Sequence, residues 1–228
     1  MRLLLWDIDG TVLRSGPLAR EAFSTAVGRV TGAHPGDHGV VMSGKADPQI
    51  VGEILETMGA DPAAAAAAVG AVLHHLQQEM AGSPERLREN GYLMPGVAAL
   101  LERFDDDPQV VQTVLTGNIA PNAALKLAVF GVAQRFDLAV GAYGSDDPDR
   151  CELVPIARRR FVQRYGQEPE EVWVVGDTPN DLACARAGGA RCLLVATGRI
   201  PYETLAALPA DAVLHDLTDL EGVAAVLG

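Results

Sequence analysis

Two groups of carboxylates in the sequence have the type and spacing to hold a metal ion. Asp7-Ile8-Asp9-Gly10-Thr11 closes one apolar run, and Gly176-Asp177-Thr178-Pro179-Asn180-Asp181 closes another far along the chain. Aspartates two positions apart project to the same side of an extended backbone, so Asp7 and Asp9 share a face where the strand persists. Clustered carboxylates repel one another, and a divalent cation with oxygen ligands is the simplest offset. The competing reading of the first motif is an acidic turn whose Asp caps a helix, since turns favour Asp and Gly. Asp177 adds a carboxylate of the kind hard cations prefer. Asp181 falls in the first turn of the next helix, where the dipole also stabilises an anion, so a structural role and a ligand role both stand for it.

Such residues need elements that bring them to one place. Residues 2–7 form a short continuous apolar run ending in polar residues and Gly10, the pattern of a strand buried on both faces of a parallel sheet. Residues 110–115 end at Thr116-Gly117-Asn118, residues 172–175 at Gly176-Asp177, and residues 192–196 at Thr197-Gly198, with helix-like stretches between. Strands alternating with helices predict a doubly wound α/β fold with a parallel sheet. In such folds ligands bind beyond the carboxyl ends of the strands, so the polar residues closing each run converge on one edge. From residue 16 to residue 90 no strand-like run appears, and helical stretches are separated by Gly, Pro and Asp. One helix is expected after Pro17. Two more are expected at Asp47-Pro48 and Asp61-Pro62, each with an aspartate N-cap and proline in the first turn. The alanine run 63–68 reads as high helix propensity, and residues 91–95 as the return to the sheet.

Taken in order, D-x-D-G-T at residues 7–11, the strand-ending Thr116, a basic residue and G-D-x-x-x-D at residues 176–181 resemble the haloacid dehalogenase (HAD) superfamily. The resemblance implies a Rossmann-like α/β core of residues 1–15 and 91–228 with an inserted all-helical cap of residues 16–90. It implies a magnesium-dependent phosphatase in which Asp7 attacks phosphorus and Asp9 is the general acid and base, protonating the leaving oxygen and then activating water. By the same resemblance Mg2+ is held by the Asp7 carboxylate, the Asp9 backbone carbonyl and the Asp177 carboxylate, with Asp181 assisting. Thr116 matches the hydroxyl that hydrogen-bonds the transferring phosphoryl oxygens, and Thr11, Gly117 and Asn118 join it in substrate binding. Phosphoryl transfer needs positioning and neutralised oxygens more than covalent work, and a carboxylate nucleophile is repelled by phosphate unless cationic groups screen it.

The basic residue departs from the commonest pattern of this superfamily, a lysine often before a proline. Here Asp146-Asp147-Pro148-Asp149-Arg150-Cys151-Glu152 offers Arg150, whose planar fork donates bidentately to phosphate or carboxylate. Pairing with nearby aspartates at a helix start is its competing role. Lys126, mid-helix among apolar residues and expected to face solvent, is the runner-up. Ser43-Gly44-Lys45-Ala46-Asp47 resembles the cap loop that contacts substrate, where Gly44 allows close backbone approach and Lys45 reaches an anion, unless Lys45 is an ordinary solvated lysine.

A net charge of −12 argues against nucleic-acid or anionic-membrane partners, so an anionic substrate must be small and met by local positive charge. A small phosphate ester is the expected partner, phosphoglycolate leading by resemblance of the cap arrangement. The opening apolar run stops at Asp7, short of a signal-peptide core or a spanning helix, which reads as a cytoplasmic protein. Cys151, Cys184 and Cys192 read as reduced thiols, and the five histidines lack metal spacing. Asp9 argues against haloacid dehalogenases and phosphonoacetaldehyde hydrolases, which lack an aspartate there. A β-phosphoglucomutase-like phosphomutase shares the motifs, and a non-catalytic receiver-like module needs only the magnesium edge.

Overall fold

The computed structural model describes residues 1–228. The first crossing of the chain gives β1 (Arg2–Trp6) and β2 (Leu13–Arg14), followed by α1 (Leu18–Thr31), α2 (Asp47–Thr57), α3 (Pro62–Ala81) and α4 (Pro84–Asn90). The chain then runs through β3 (Tyr92–Leu93), α5 (Val97–Asp105), β4 (Val110–Thr116), α6 (Ala120–Val129) and β5 (Ala142–Tyr143). A 3-10 turn over Arg150–Glu152 leads into α7 (Leu153–Tyr165), β6 (Glu171–Gly176), α8 (Pro179–Ala187), β7 (Arg191–Val195), α9 (Tyr202–Ala206), β8 (Ala212–Leu214) and α10 (Leu220–Leu227).

Six strands form one parallel sheet in the order β5-β4-β1-β6-β7-β8. The doubly wound α/β class expected from the sequence is the one observed. β1 is central, with Arg2 opposite both Val110 and Glu171, so both its edges are paired and both its faces need apolar side chains. Leu4 and Trp6 join one apolar cluster with residues of α5, α6 and α10, while Leu3 and Leu5 join another with residues of α7, α8 and α9. Alternation along one strand therefore feeds two cores.

Residues of α1–α4 build a third apolar cluster of their own, around Ile54, Val72, Leu76 and Met80. Each such fully buried side chain contributes on the order of 1.5–3 kcal/mol. Leu125, Val129 and Phe130 pack against that cluster from α6 and its end, which links it to the sheet. The chain leaves and re-enters the sheet through a two-stranded antiparallel ribbon, Leu13 opposite Leu93 and Arg14 opposite Tyr92.

All three expected helices start where their signals fall in the sequence, and one of the two expected aspartate caps forms. α1 starts after Pro17, and Asp61 caps α3 by accepting from the Ala63 and Ala64 amides. At α2 the expected aspartate cap is absent. Ala46 is the N-cap, Asp47 is already helical, and no side chain caps that end. The Asp47 carboxylate is used elsewhere, accepting the Ile119 amide at 2.8 Å across the gap to α6.

Candidate active site

The four carboxylates arrive where the sheet topology predicts, at the C-terminal ends of neighbouring strands β1 and β6. Asp7 follows β1 directly, its amide bonded to the Val175 carbonyl at 2.9 Å. Asp177 follows β6 and is 1% exposed. Asp181 sits in the first turn of α8 within a capping box: Oδ2 accepts from the Thr178 amide at 3.0 Å and the Thr178 hydroxyl at 2.7 Å. The structural role foreseen for Asp181 is thus real, and its other oxygen, Oδ1, accepts from Arg150. Gly10 holds a φ of 103°, and a side chain there would collide with the Asp177 carboxylate, so the turn after Asp9 needs glycine twice over.

Arg150 is buried, and its Nη2 bridges Asp181 Oδ1 and Asp7 Oδ1, the latter at 2.8 Å. It therefore satisfies one oxygen of each carboxylate and leaves Asp7 Oδ2 unspent. Thr11 Oγ1 donates to Asp177 Oδ1 at 3.3 Å. One guanidinium does not balance this group. Burial pushes Asp7 up to about 7, with the negative charges of Asp181 and Asp9 adding and Arg150 opposing. Burial likewise pushes Asp177 to about 8, reinforced by Asp7 and Asp181. One carboxylate oxygen from each of Asp7, Asp177 and Asp181 lies within 4.8 Å of the other two. Hard, buried, under-neutralised oxygen donors at this separation fit a divalent cation.

Asp9 has a different environment. Ser15 Oγ donates to its Oδ1 at 2.6 Å, while Asn118 Nδ2 at 2.8 Å and Lys126 Nζ at 2.6 Å donate to its Oδ2. Burial works to raise this carboxyl, but Lys126, Ser15 and Asn118 outweigh it and hold Asp9 below the usual carboxylate range. Thr116, fully buried at the end of β4, accepts from the Asn118 side chain at 2.8 Å, which leaves its own hydroxyl hydrogen free to donate. Gly117 lies under the loop of residues 43–47: a side chain there would collide with the Lys45 carbonyl, and the Asp47 amide bonds the Gly117 carbonyl at 2.7 Å. Asn180 Nδ2 donates to the Gly44 carbonyl at 2.9 Å from the other side.

These groups open onto one cavity of about 480 Å³, walled by the sheet edge on one side and by α1, α2 and the 43–47 loop on the other. Asp7, Asp9, Thr116, Gly117, Asn118, Arg150 and Asp177 line it. Lys45 also lines it, yet its ammonium is paired with Glu53 Oε2 at 2.5 Å. Lys126 corrects the sequence expectation. It is 3% exposed and bonds both Asp9 and Asn118 Oδ1, the latter at 2.6 Å, so it faces the site and not solvent. The core thus has two buried basic residues, Arg150 on Asp7 and Lys126 on Asp9. Ser15 and Asp47 are further site residues that sequence reasoning passed over. Asp47 is pushed to about 7, mainly by burial, with Lys126 opposing.

The paired aspartates lie at the C-terminal edge of a parallel α/β sheet, across one cavity from helices α1 and α2. The chain belongs to the haloacid dehalogenase-like hydrolase family, whose model matches residues 1–189. It is 26% identical over 228 residues to the phosphoglycolate phosphatase of Yersinia pseudotuberculosis serotype I (strain IP32953), covering 96% of this chain and 91% of that protein. Its fold is similar to that of a predicted phosphatase from Clostridium acetobutylicum, with a TM-score of 0.73, 16% identity and 98% of each chain covered. CbbY from Rhodobacter sphaeroides, solved in complex with phosphate, superposes with a TM-score of 0.68 at 21% identity, over 96% of this chain and 95% of that one. No helix is long and apolar enough to cross a membrane.

Proposed function

We propose that the protein is a phosphatase that hydrolyses a small phosphate monoester through an aspartyl-phosphate on Asp7. The observation that carries this reading is the division of labour between the two aspartates of the first motif. Asp7 keeps one free oxygen beside the cationic Arg150, while Asp9, two residues on, is held by neutral and cationic donors in the same cavity.

In the first half-reaction Asp7 Oδ2 attacks phosphorus, the bond from phosphorus to the leaving oxygen breaks, and that oxygen takes its proton from Asp9. In the second half, Asp9 accepts a proton from water as the water oxygen attacks phosphorus and the bond to Asp7 breaks, freeing phosphate and Asp7. Thr116 donates its hydroxyl hydrogen to an equatorial phosphoryl oxygen. Arg150 holds Asp7 in place and contributes positive charge as phosphate approaches. Lys126 and Asn118 orient Asp9. In the free protein these donors favour the ionised Asp9, the form the second half-reaction uses as base. Asp7, Asp177, the Asp9 backbone carbonyl and, in support, Asp181 are the residues that would hold Mg2+. Bound there, the ion would offset the repulsion between carboxylate and phosphate and stabilise developing charge.

Residues 16–90 act in this reading as a cap over the cavity, excluding bulk water during turnover. Phosphoglycolate, the substrate expected from the sequence, has the support of the similarity to the Yersinia phosphoglycolate phosphatase, whereas the size of the cavity favours a longer ester. The test is phosphate release from a panel of esters with Mg2+ and after its removal by chelation. The reading predicts turnover only with the ion, lost in Asp7→Asn. Turnover that survives chelation, or Mg2+ binding without turnover of any ester, would overturn it.

A further inference from the structure

The cavity is lined by six basic side chains in a protein of net charge −12, and they are not used alike. Arg150 and Lys126 are bonded to catalytic carboxylates, and Lys45 is neutralised by Glu53. Three remain. Arg14, at the end of β2, uses only Nη2, which donates to the carbonyls of Thr197 and Gly198 at 2.9 and 2.7 Å. This places it beside the backbone that carries Arg199. Arg20, in the first turn of α1, uses Nη1 toward the His38 ring at 3.2 Å and Nη2 toward the Val40 carbonyl at 3.1 Å. Burial and the Arg20 charge both hold His38 below the usual imidazole range, with Asp37 opposing. Arg199 is exposed at the cavity and makes neither a hydrogen bond nor an ion pair.

Each guanidinium carries five N–H donors and stays charged at any relevant pH. None of these three is countered by a carboxylate, although the chain carries 30 acidic residues against 18 basic ones. Arginines left uncompensated around a cavity create a local positive field where the summed charge of the protein is repulsive to anions. Two come from the sheet side and one from the helical side, so a bound anion would engage both. The cavity also exceeds what a two-carbon acid needs. At about 480 Å³ it lies within the range of pockets that enclose drug-sized ligands, and Phe23, Met42 and Ile50 give it an apolar wall.

Resting on the phosphatase reading above, we propose that the substrate is a phosphate monoester carrying a second anionic group, carboxylate or phosphate, at the far end of a body longer than two carbons. Arg199, Arg14 and Arg20 receive that second anion, and Lys45 does not. The pairing with Glu53 removes Lys45 from this role, although its place in the 43–47 loop suggested it from sequence.

The experiment is a ladder of ω-carboxyalkyl phosphates and α,ω-alkane bisphosphates of two to six carbons, each compared with the uncharged alkyl phosphate of equal length. Wild-type kcat/KM is expected to favour the charged members by about tenfold or more, the worth of one charge-assisted hydrogen bond. The optimum should lie beyond two carbons, and whichever series is preferred identifies the second anion. Arg199→Met, on an exposed side chain whose loss threatens no packing, should reduce kcat/KM for charged members about tenfold more than for alkyl phosphates. Arg20→Met should do the same, and Arg20→Lys should restore part. No wild-type preference for charged members, an optimum at two carbons, or equal losses on charged and uncharged substrates would overturn the inference. Failure of the wild-type protein to hydrolyse any member of the ladder, charged or uncharged, with Mg2+ would overturn the phosphatase reading, and this inference with it.

Discussion

At Asp9 three donors converge, and the strongest is the buried ammonium of Lys126. Burial works to raise this carboxyl and Lys126 overrides it. Lys126→Met should therefore lower kcat by about tenfold or more, within the usual contribution of a tuned acid–base group. It should also move the acidic limb of the kcat–pH profile upward, because Asp9 then ionises at higher pH. A limb that does not move would separate Lys126 from proton transfer and leave it a packing residue. At Arg150 the expected effect is on stability as well as rate. Arg150→Met strands the buried carboxylates of Asp7 and Asp181, and breaking a buried pair by removing one partner costs about 3–5 kcal/mol. Arg150→Lys should recover part through its point charge but not the two-carboxylate bridge. Urea denaturation of the metal-free protein reads this, and a loss within about 0.5 kcal/mol would mean that solvent already screens the cluster.

At the scale of elements, the junction between α2 and α6 depends on Asp47. Its helix end goes without a side-chain cap so that the carboxylate can satisfy the Ile119 amide instead. Asp47→Ala should cost about 1–3 kcal/mol, the penalty of a buried unsatisfied donor, and should speed hydrogen exchange at Ile119. The pH dependence has a definite sign. Asp47 is raised from 3.8 to about 7, so the folded chain binds this proton more tightly than the unfolded one, and the group's contribution to stability falls as pH rises through that window. Asp47→Asn keeps an acceptor without the titration, so the slope of stability against pH should become shallower. The sequence carried the long strands because they are buried on both faces, and it carried α3 because Asp61 caps it locally. It did not carry β5 and β8, which span two and three residues, too few for a period to register. Lys126 shares the buried stripe of α6 with Asn122, Ala123 and Leu127, a helical spacing visible in the sequence. What draws it inward is Asp9, 117 residues away, and local patterning holds no trace of such a partner. Asp47 was misread for the same reason: its position fits a cap, and only the approach of α6 gives it another use.

For the whole molecule, the Asp7, Asp177 and Asp181 cluster places repulsion at the centre of the fold, where β1 and β6 meet. Asp7 and Asp177 are raised to about 7 and about 8, so in the absence of a cation they cost stability as pH rises from about 4 toward those values. Mg2+ should reverse this, raising the melting temperature by about 5–10 °C at a hundredfold excess over its Kd at pH 6, and by more when the same concentration is present at pH 8. Asp177→Asn should abolish most of that rise, and an equal rise in this variant would place the ion elsewhere. The central claim is that Asp7 becomes phosphorylated. Rapid-quench trapping with a phosphate ester labelled in the phosphoryl group, followed by borohydride reduction and peptide mass spectrometry, tests it most directly. The account predicts label that forms and decays within the turnover time, conversion of Asp7 to homoserine after reduction, and neither signal in Asp7→Asn. Undiminished phosphate release by Asp7→Asn, or label trapped on another residue, would contradict it.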